Sequence, residues 1–299
     1  MHHHPHADPQ QMKGVLRWSM LATLALVAAE LVGGYLGHSI ALVSDAVHNL
    51  TDIPTLVISW LALRWSERPA TQEKTYGYHR AGILAAFTNA IVLVLVAGYI
   101  LYESIERLRA PAPVREDVML WIAVAALVIN GGITLALVRG RRDLNLRSIL
   151  IHNLGDALSN VAILVGALAI RATGALWVDP VLGFAIGLLV LWSSFGILRE
   201  SSHILLEGSP REIQLEEVAR AILQIPGVQE VHDVHVWTLS SELHVLSCHV
   251  RIPDMHMEES DQIRDRISEA LEHQFHIHHS TIQFERAGPP RESGLHMPS

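Results

Sequence analysis

Six stretches of about 20 apolar residues, each long enough to cross a bilayer as a helix, run through the first two thirds of the chain. They lie at roughly Val15–Leu36, Ile40–Leu63, Ala81–Tyr102, Val118–Val138, Ile149–Ile170 and Trp177–Leu198. An even number of crossings puts both termini on one side. Lys13 and Arg17 precede the first span, Arg64, Arg68, Lys74 and Arg80 lie between the second and third, and Arg139, Arg141, Arg142 and Arg147 lie between the fourth and fifth. The opposite loops carry only Arg107, Arg109, Arg115 and Arg171. Cytoplasmic loops are enriched in Lys and Arg, so both termini are expected in the cytoplasm.

After Arg199 the pattern changes. Ile213–Leu223 has helical spacing and stops at Pro226-Gly227. Glu230–Leu239 and Leu243–Ile252 read as strands joined by a polar Ser240-Ser241 turn; Asp261–Phe275 is helical again, and Ser280–Phe284 forms a last strand. The expected fold is therefore an α-helical membrane protein with six transmembrane helices followed by a small cytoplasmic α+β domain, its helices on one face of a sheet. The divisions fall at 1–14 (a disordered, His-containing tail), 15–208 (the transmembrane domain), 209–286 (the cytoplasmic domain) and 287–299 (a disordered tail).

Composition sharpens this picture. Half the residues are hydrophobic and 17% are charged, and the charges gather between the apolar runs and in the tail. A net charge of -8 without a basic cluster in the tail excludes nucleic acid as a partner, because phosphate binding needs concentrated Lys and Arg. The single cysteine, Cys248, excludes an internal disulfide and a cysteine-based zinc finger. The first apolar run is too long and lacks the small-residue pattern of a cleavable signal peptide.

Ionisable residues inside spans are costly, and two spans hold nearly the same five residues: His48-Asn49-Leu50-Thr51-Asp52 and His152-Asn153-Leu154-Gly155-Asp156. In each copy His and Asp are four apart, so a helix presents both on one face. Two such helices packed together offer two imidazoles and two carboxylates, a donor set suited to Zn2+ and related first-row ions, whereas Ca2+ and Mg2+ favour oxygen-only shells. The plain alternative is a structural polar contact between helices. Asp45 shares the face of His48 and Asp52, and Asn160 extends that of Asp156. Asp45, Asn49 and Asn160 are assigned to the ring of groups around the four ligands, with Asp45 orienting His48. Glu30 fits equally a place in this polar group or an interhelical polar contact, and Gly33-Gly34 reads as a point of close helix packing.

The tail is rich in histidine: His232 and His235 on one strand, His244 and His249 on the next, then His273, His276, His278 and His279 ahead of Glu285. Strand alternation puts His249 and Cys248 on opposite faces. Surface histidines are ordinarily solvated, so number alone does not make a site. At the other end, His2, His3, His4 and His6 fit either loose metal capture or an incidental run.

The stretch Glu30 to Asp52, ELVGGYLGHSIALVSDAVHNLTD, together with Tyr76-Gly77-Tyr78-His79-Arg80, His152 to Asn160, Asp179-Pro180, Leu205-Leu206-Glu207-Gly208 and Val231-His232-Asp233-Val234-His235-Val236-Trp237, resembles the cation diffusion facilitator family. The likeness is to its bacterial zinc, cadmium and cobalt exporters and to animal vesicular zinc transporters, and covers the chain from about Arg17 to Glu285. It implies a homodimer that exchanges metal for protons, a transport site at His48, Asp52, His152 and Asp156, and a metallochaperone-like cytoplasmic domain. By position, His232, His249, His278 and Glu285 match the metal site of that domain in animal-type members. Lys74 and Tyr78 stand where members with a further ion site between spans two and three carry histidines, so that loop is not expected to bind one.

The expected function is export of zinc, or of Cd2+ or Co2+, from the cytoplasm by a secondary active zinc/proton antiporter rather than an enzyme. Zinc and protons are its substrates and membrane lipid its surroundings. No prosthetic group is expected, zinc being the transported ion and a regulatory one, and the compact loops suit a bacterial cytoplasmic membrane. Imidazole must be neutral and carboxylate ionised to bind metal, so competition for one site suffices to couple the two fluxes. An intramembrane metal hydrolase is disfavoured by the closed four-ligand set and the lack of HExxH. A flux-free metal sensor leaves the duplicated motif unexplained.

Overall fold

The structure is a computed structural model that describes residues 9–50, 71–140, 146–240 and 243–286, with side chains of 9–20 and 133–154 not described. Among the described residues six helices come first: α1 (Pro9–Gly37), α2 (Ile40–Leu50), α3 (Ala81–Arg109), α4 (Glu116–Gly140), α5 (Leu146–Thr173) and α6 (Val178–Leu205). The tail follows as α7 (Leu215–Leu223), β1 (Glu230–Ser240), β2 (Leu243–Ile252), α8 (Met257–Phe275) and β3 (His279–Arg286). Among the described residues three helical segments are long and apolar enough to cross a membrane: α3, Gly155–Thr173 of α5, and α6. The expected second span is seen as helix only over Ile40–Leu50; its remainder lies outside the described residues.

The helices outlast the apolar runs that announced them. The hydropathy of α3 ends near Tyr102, yet a further helical turn is held by Glu103 with Arg107 and Glu106 with Arg109, each pair 2.8 Å apart. Such i,i+4 and i,i+3 pairs stabilise exposed helix. At its other end, α6 runs through Arg199 and Glu200 to a stop at Glu207, whose φ is +61°, where Gly208 N–H donates to His203 C=O.

The chain folds as two compact units. In the first, α2 is pinned by a carboxylate from α6. Asp179, fully buried, accepts hydrogen bonds from the Ser39 hydroxyl at 2.5 Å and from the Ile40 and Ala41 N–H groups at 2.9 and 3.3 Å. Ser39 Oγ in turn accepts from Leu42 N–H at 3.2 Å, so the free donors at the start of α2 are answered from within its own chain turn and from a helix 139 residues away. Close packing completes the junction. A Cβ on Gly34 would come within 3.0 Å of the Val43 backbone nitrogen, and one on Gly33 within 1.7 Å of Ile122, which bears out the reading of this pair as a contact point.

The second unit contains a three-stranded sheet in the order β1-β2-β3. β1 and β2 pair antiparallel as a hairpin; β2 and β3 pair parallel, because α8 returns the chain to the same end before β3 begins. The apolar face of the sheet, Val234, Val236, Leu246, Cys248, Val250 and Ile252, packs with Val218 and Ile222 of α7 and Ile263, Ile267 and Leu271 of α8. Their spacing of four is the helix repeat, and each fully buried Leu or Ile contributes roughly 1.5–3 kcal/mol. The opposite face is left to His232, His235, Trp237, His249 and Glu285. Two of the quoted sequence motifs also meet in this unit, Arg80 lying 3.4 Å from Glu207.

Replacing Asp179 with Ala strands a buried hydroxyl and two N–H groups, a loss of about 1–3 kcal/mol for a buried polar group left unpaired. The Asp179→Ala protein should therefore unfold several degrees below the wild type in detergent by scanning fluorimetry; an unchanged Tm contradicts this role.

Candidate metal centres

His48, Asn49 and Leu50 of the first motif copy lie on α2 and the second copy lies on α5, and one residue from each meets the other. His48 Nε2 lies 3.3 Å from Asp156 Oδ1, with Asp156 itself only 5% exposed. Around this pair the polar side chains interlock. Ser159 donates to Asp45 Oδ1 at 2.7 Å, Asn160 Nδ2 donates to the Asp156 carbonyl at 2.8 Å, and Asn49 Nδ2 donates to both oxygens of the fully buried Glu30 at 3.1 and 2.9 Å. The hydrogen bond of Asp45 thus runs to Ser159 on α5, a partner that the sequence did not single out. Glu30 of α1 thereby makes a polar contact with α2. Of the other two expected ligands, Asp52 lies outside the described residues, and His152 lies on α5 one turn before Asp156 with its side chain outside them.

The second group forms on the polar face of the cytoplasmic sheet. His232 and His249 are direct cross-strand partners in the β1–β2 register, with rings 5.4 Å apart. Glu285 of β3 bridges them, its Oε2 at 3.3 Å from His232 Nε2 and its Oε1 at 3.1 Å from His249 Nδ1. Among the described residues these three form the group whose ligating atoms all lie within 4.8 Å of one another. Two imidazoles and a carboxylate make a zinc-type donor set with a fourth position open.

His278 does not join them. It sits in the turn before β3, with Nδ1 3.4 Å from Glu272 at the end of α8. The reason is length: a strand rises about 3.3 Å per residue, so the seven residues from His278 to Glu285 extend over some 20 Å.

Asp233, which the sequence quoted only inside a motif, does join the group. The β1–β2 register slips between His232 and His235, and Asp233 at this bulge has φ +52°. A left-handed backbone costs a non-glycine residue roughly 1–3 kcal/mol, Asp and Asn being the most tolerant. Its carboxylate lies 3.1 Å from His235 Nε2 and 3.8 Å from His249 Nε2. Strict alternation would have sent Asp233 to the other face, so only the bulge reveals it. Elsewhere on β2, burial keeps His244 below the usual imidazole range, and Cys248 on the core face has its thiol pushed up to about 12.

A multi-helix apolar unit with an internal His/Asp cluster, joined to a small α+β domain that carries its own His/Glu group, defines the class of cation-handling membrane proteins. Residues 16–206 match the family described as the cation efflux transmembrane domain, and residues 210–287 match the cation efflux protein cytoplasmic domain. The chain is 37% identical over 277 residues to the "Cadmium, cobalt and zinc/H(+)-K(+) antiporter" of Bacillus subtilis (strain 168), covering 91% of this chain and 89% of that one. It is 40% identical over 273 residues to the "Zinc transporter ZitB" of Escherichia coli (strain K12), covering 90% and 86%. A solved structure, "Metal-bound C-terminal domain of the CzcD transporter from Cuprividus metallidurans", is 37% identical, covers 24% of this chain and 99% of its own, and has a TM-score of 0.23. The chain belongs to the cation diffusion facilitator family of cation efflux proteins.

Because the thiolate is the reactive form, a thiol titrating near pH 12 is essentially protonated at pH 8. Cys248 in the folded protein should resist maleimide at pH 8 and label fully after denaturation; rapid labelling of the native chain contradicts the burial.

Proposed function

We propose that this protein is a secondary active antiporter that exports Zn2+, and related ions such as Cd2+ or Co2+, from the cytoplasm in exchange for protons. The observation that carries the reading is the meeting of His48 and Asp156, one from each copy of the duplicated motif, between α2 and α5. The names carried by the relatives, a cadmium, cobalt and zinc/H(+)-K(+) antiporter and a zinc transporter, support the same substrates.

The transport site is assigned to His48, Asp52, His152 and Asp156. Asp45, Asn49 and Asn160, with Ser159 and Glu30, form the polar surround of this site, hydrogen-bonded to one another and to the Asp156 carbonyl. An ion entering at near-neutral pH must displace whatever protons the imidazoles hold; on the side of higher proton activity, protons displace the ion. Alternating access requires α2 and α5 to expose this one site to each side in turn.

The remainder of the architecture follows the same reading. Six helices cross the membrane over 15–208, both termini and the 209–286 domain are cytoplasmic, and the setting is a bacterial cytoplasmic membrane with two copies of the chain per transporter. The outward display of large apolar side chains, Trp192 at 80% and Trp121 at 71% exposure among them, supports contact with lipid. His232, His249 and Glu285 are assigned to a regulatory metal site, which acts only in so far as the metal prefers one transport conformation.

In proteoliposomes with an imposed pH gradient, Asp156→Ala should abolish proton-driven zinc uptake with the protein still folded; flux at the wild-type rate removes the assignment. His232→Ala combined with His249→Ala should shift the zinc concentration giving half-maximal flux and leave maximal flux within about a factor of two. Complete loss of flux in that double variant would instead place these residues on the transport path.

A further inference from the structure

We infer that Asp233 is a positioning residue for the cytoplasmic metal site, fixing the ring nitrogen through which His249 binds. The inference rests on the assignment of His232, His249 and Glu285 to a metal, and adds a residue to that site.

The geometry of His249 carries it. Glu285 approaches from the Nδ1 side of the ring, with Oε1 3.1 Å from Nδ1, and its Oε2 is 3.3 Å from His232 Nε2. A cation held among the three therefore takes Nδ1. A neutral imidazole has one N–H and one lone pair, so Nδ1 can bind only when the proton sits on Nε2. Asp233 Oδ2 lies 3.8 Å from that atom, within ion-pair range and longer than a hydrogen bond. A carboxylate behind a metal-bound histidine holds both its tautomer and its ring plane.

Asp233 is itself held. Its other oxygen, Oδ1, is 3.1 Å from His235 Nε2, which keeps the carboxylate turned across the sheet face. The bulge is what makes this possible, since Val234 still points into the core at 4% exposure while His232, Asp233 and His235 gather on the polar side. A single extra residue in β1 thus moves a carboxylate to the back of a ligand on the neighbouring strand. Glycine would satisfy the left-handed backbone better than aspartate, so the backbone alone does not account for the residue present.

The test is zinc titration against a competing chelator on the full-length, detergent-solubilised protein, all variants carrying Asp156→Ala so that the intramembrane site does not contribute. His232→Ala with His249→Ala defines the binding that belongs to the cytoplasmic site. Asp233→Gly, which relieves the backbone, should weaken that binding about 10–100-fold, the usual effect of removing a carboxylate behind a ligating histidine. Asp233→Asn, which keeps one acceptor and tolerates the left-handed backbone, should fall between Gly and the wild type. If Asp233→Gly binds zinc within twofold of the wild type while the double histidine variant does not bind, the positioning role is overturned and the site stands. If the double histidine variant loses no binding, the site assignment itself falls.

Discussion

Ionisable side chains between apolar helices are tolerated only when each finds a partner on another element, and the approach of His48 on α2 to Asp156 on α5 is the contact on which the first unit depends. Everything near it serves to make that approach exact. Asp179 of α6 fixes where α2 starts, the tight turn at His38 and the small Gly33-Gly34 surface bring α1 alongside, and Ser159 joins α5 back to Asp45 of α2. Buried apolar clusters, with Leu42, Met119 and Ile163 in one and Leu93, Ile100 and Val190 in another, lie in the same unit as these polar groups. An arrangement this constrained is of little use to a purely structural core, where apolar packing would serve at lower cost, and of clear use to a site that must bind and release a hydrated cation.

The cytoplasmic sheet solves a different problem with similar chemistry. Its helices cover one face, so the other is available for ligands without weakening the core. Cross-strand pairing sets His232 against His249, the parallel third strand supplies Glu285, and the bulge at Asp233 adds a carboxylate that alternation would have hidden. Both groups therefore combine imidazole and carboxylate side chains from separate elements.

How much of this was legible beforehand depended on the range of the interaction. Apolar runs and His-X-X-X-Asp spacing are local, and they located the helices and the motif copies. α3 and α6 extend past the apolar runs because hydropathy reports the apolar part of a helix and not the polar turns, such as Glu103–Arg107, that prolong it. The Asp179 cap joins positions 139 residues apart, and the Ser159–Asp45 bond joins positions 114 apart; neither leaves a local signal. His278, which the family likeness sets with the cytoplasmic group, lies beside Glu272, at the opposite end of β3 from Glu285. Asp233 was missed for the opposite reason, since a bulge breaks the two-residue period on which strand reading relies.

The central claim is that the two motif copies make one metal site, and zinc K-edge X-ray absorption tests it most directly. The sample is the full-length protein carrying His232→Ala and His249→Ala, loaded with one equivalent of Zn2+. The account predicts a four-coordinate nitrogen and oxygen shell near 2.0–2.1 Å with the outer scattering of two imidazoles, falling to one imidazole in His48→Ala. A shell without two imidazoles, or one that His48→Ala leaves unchanged, would contradict it.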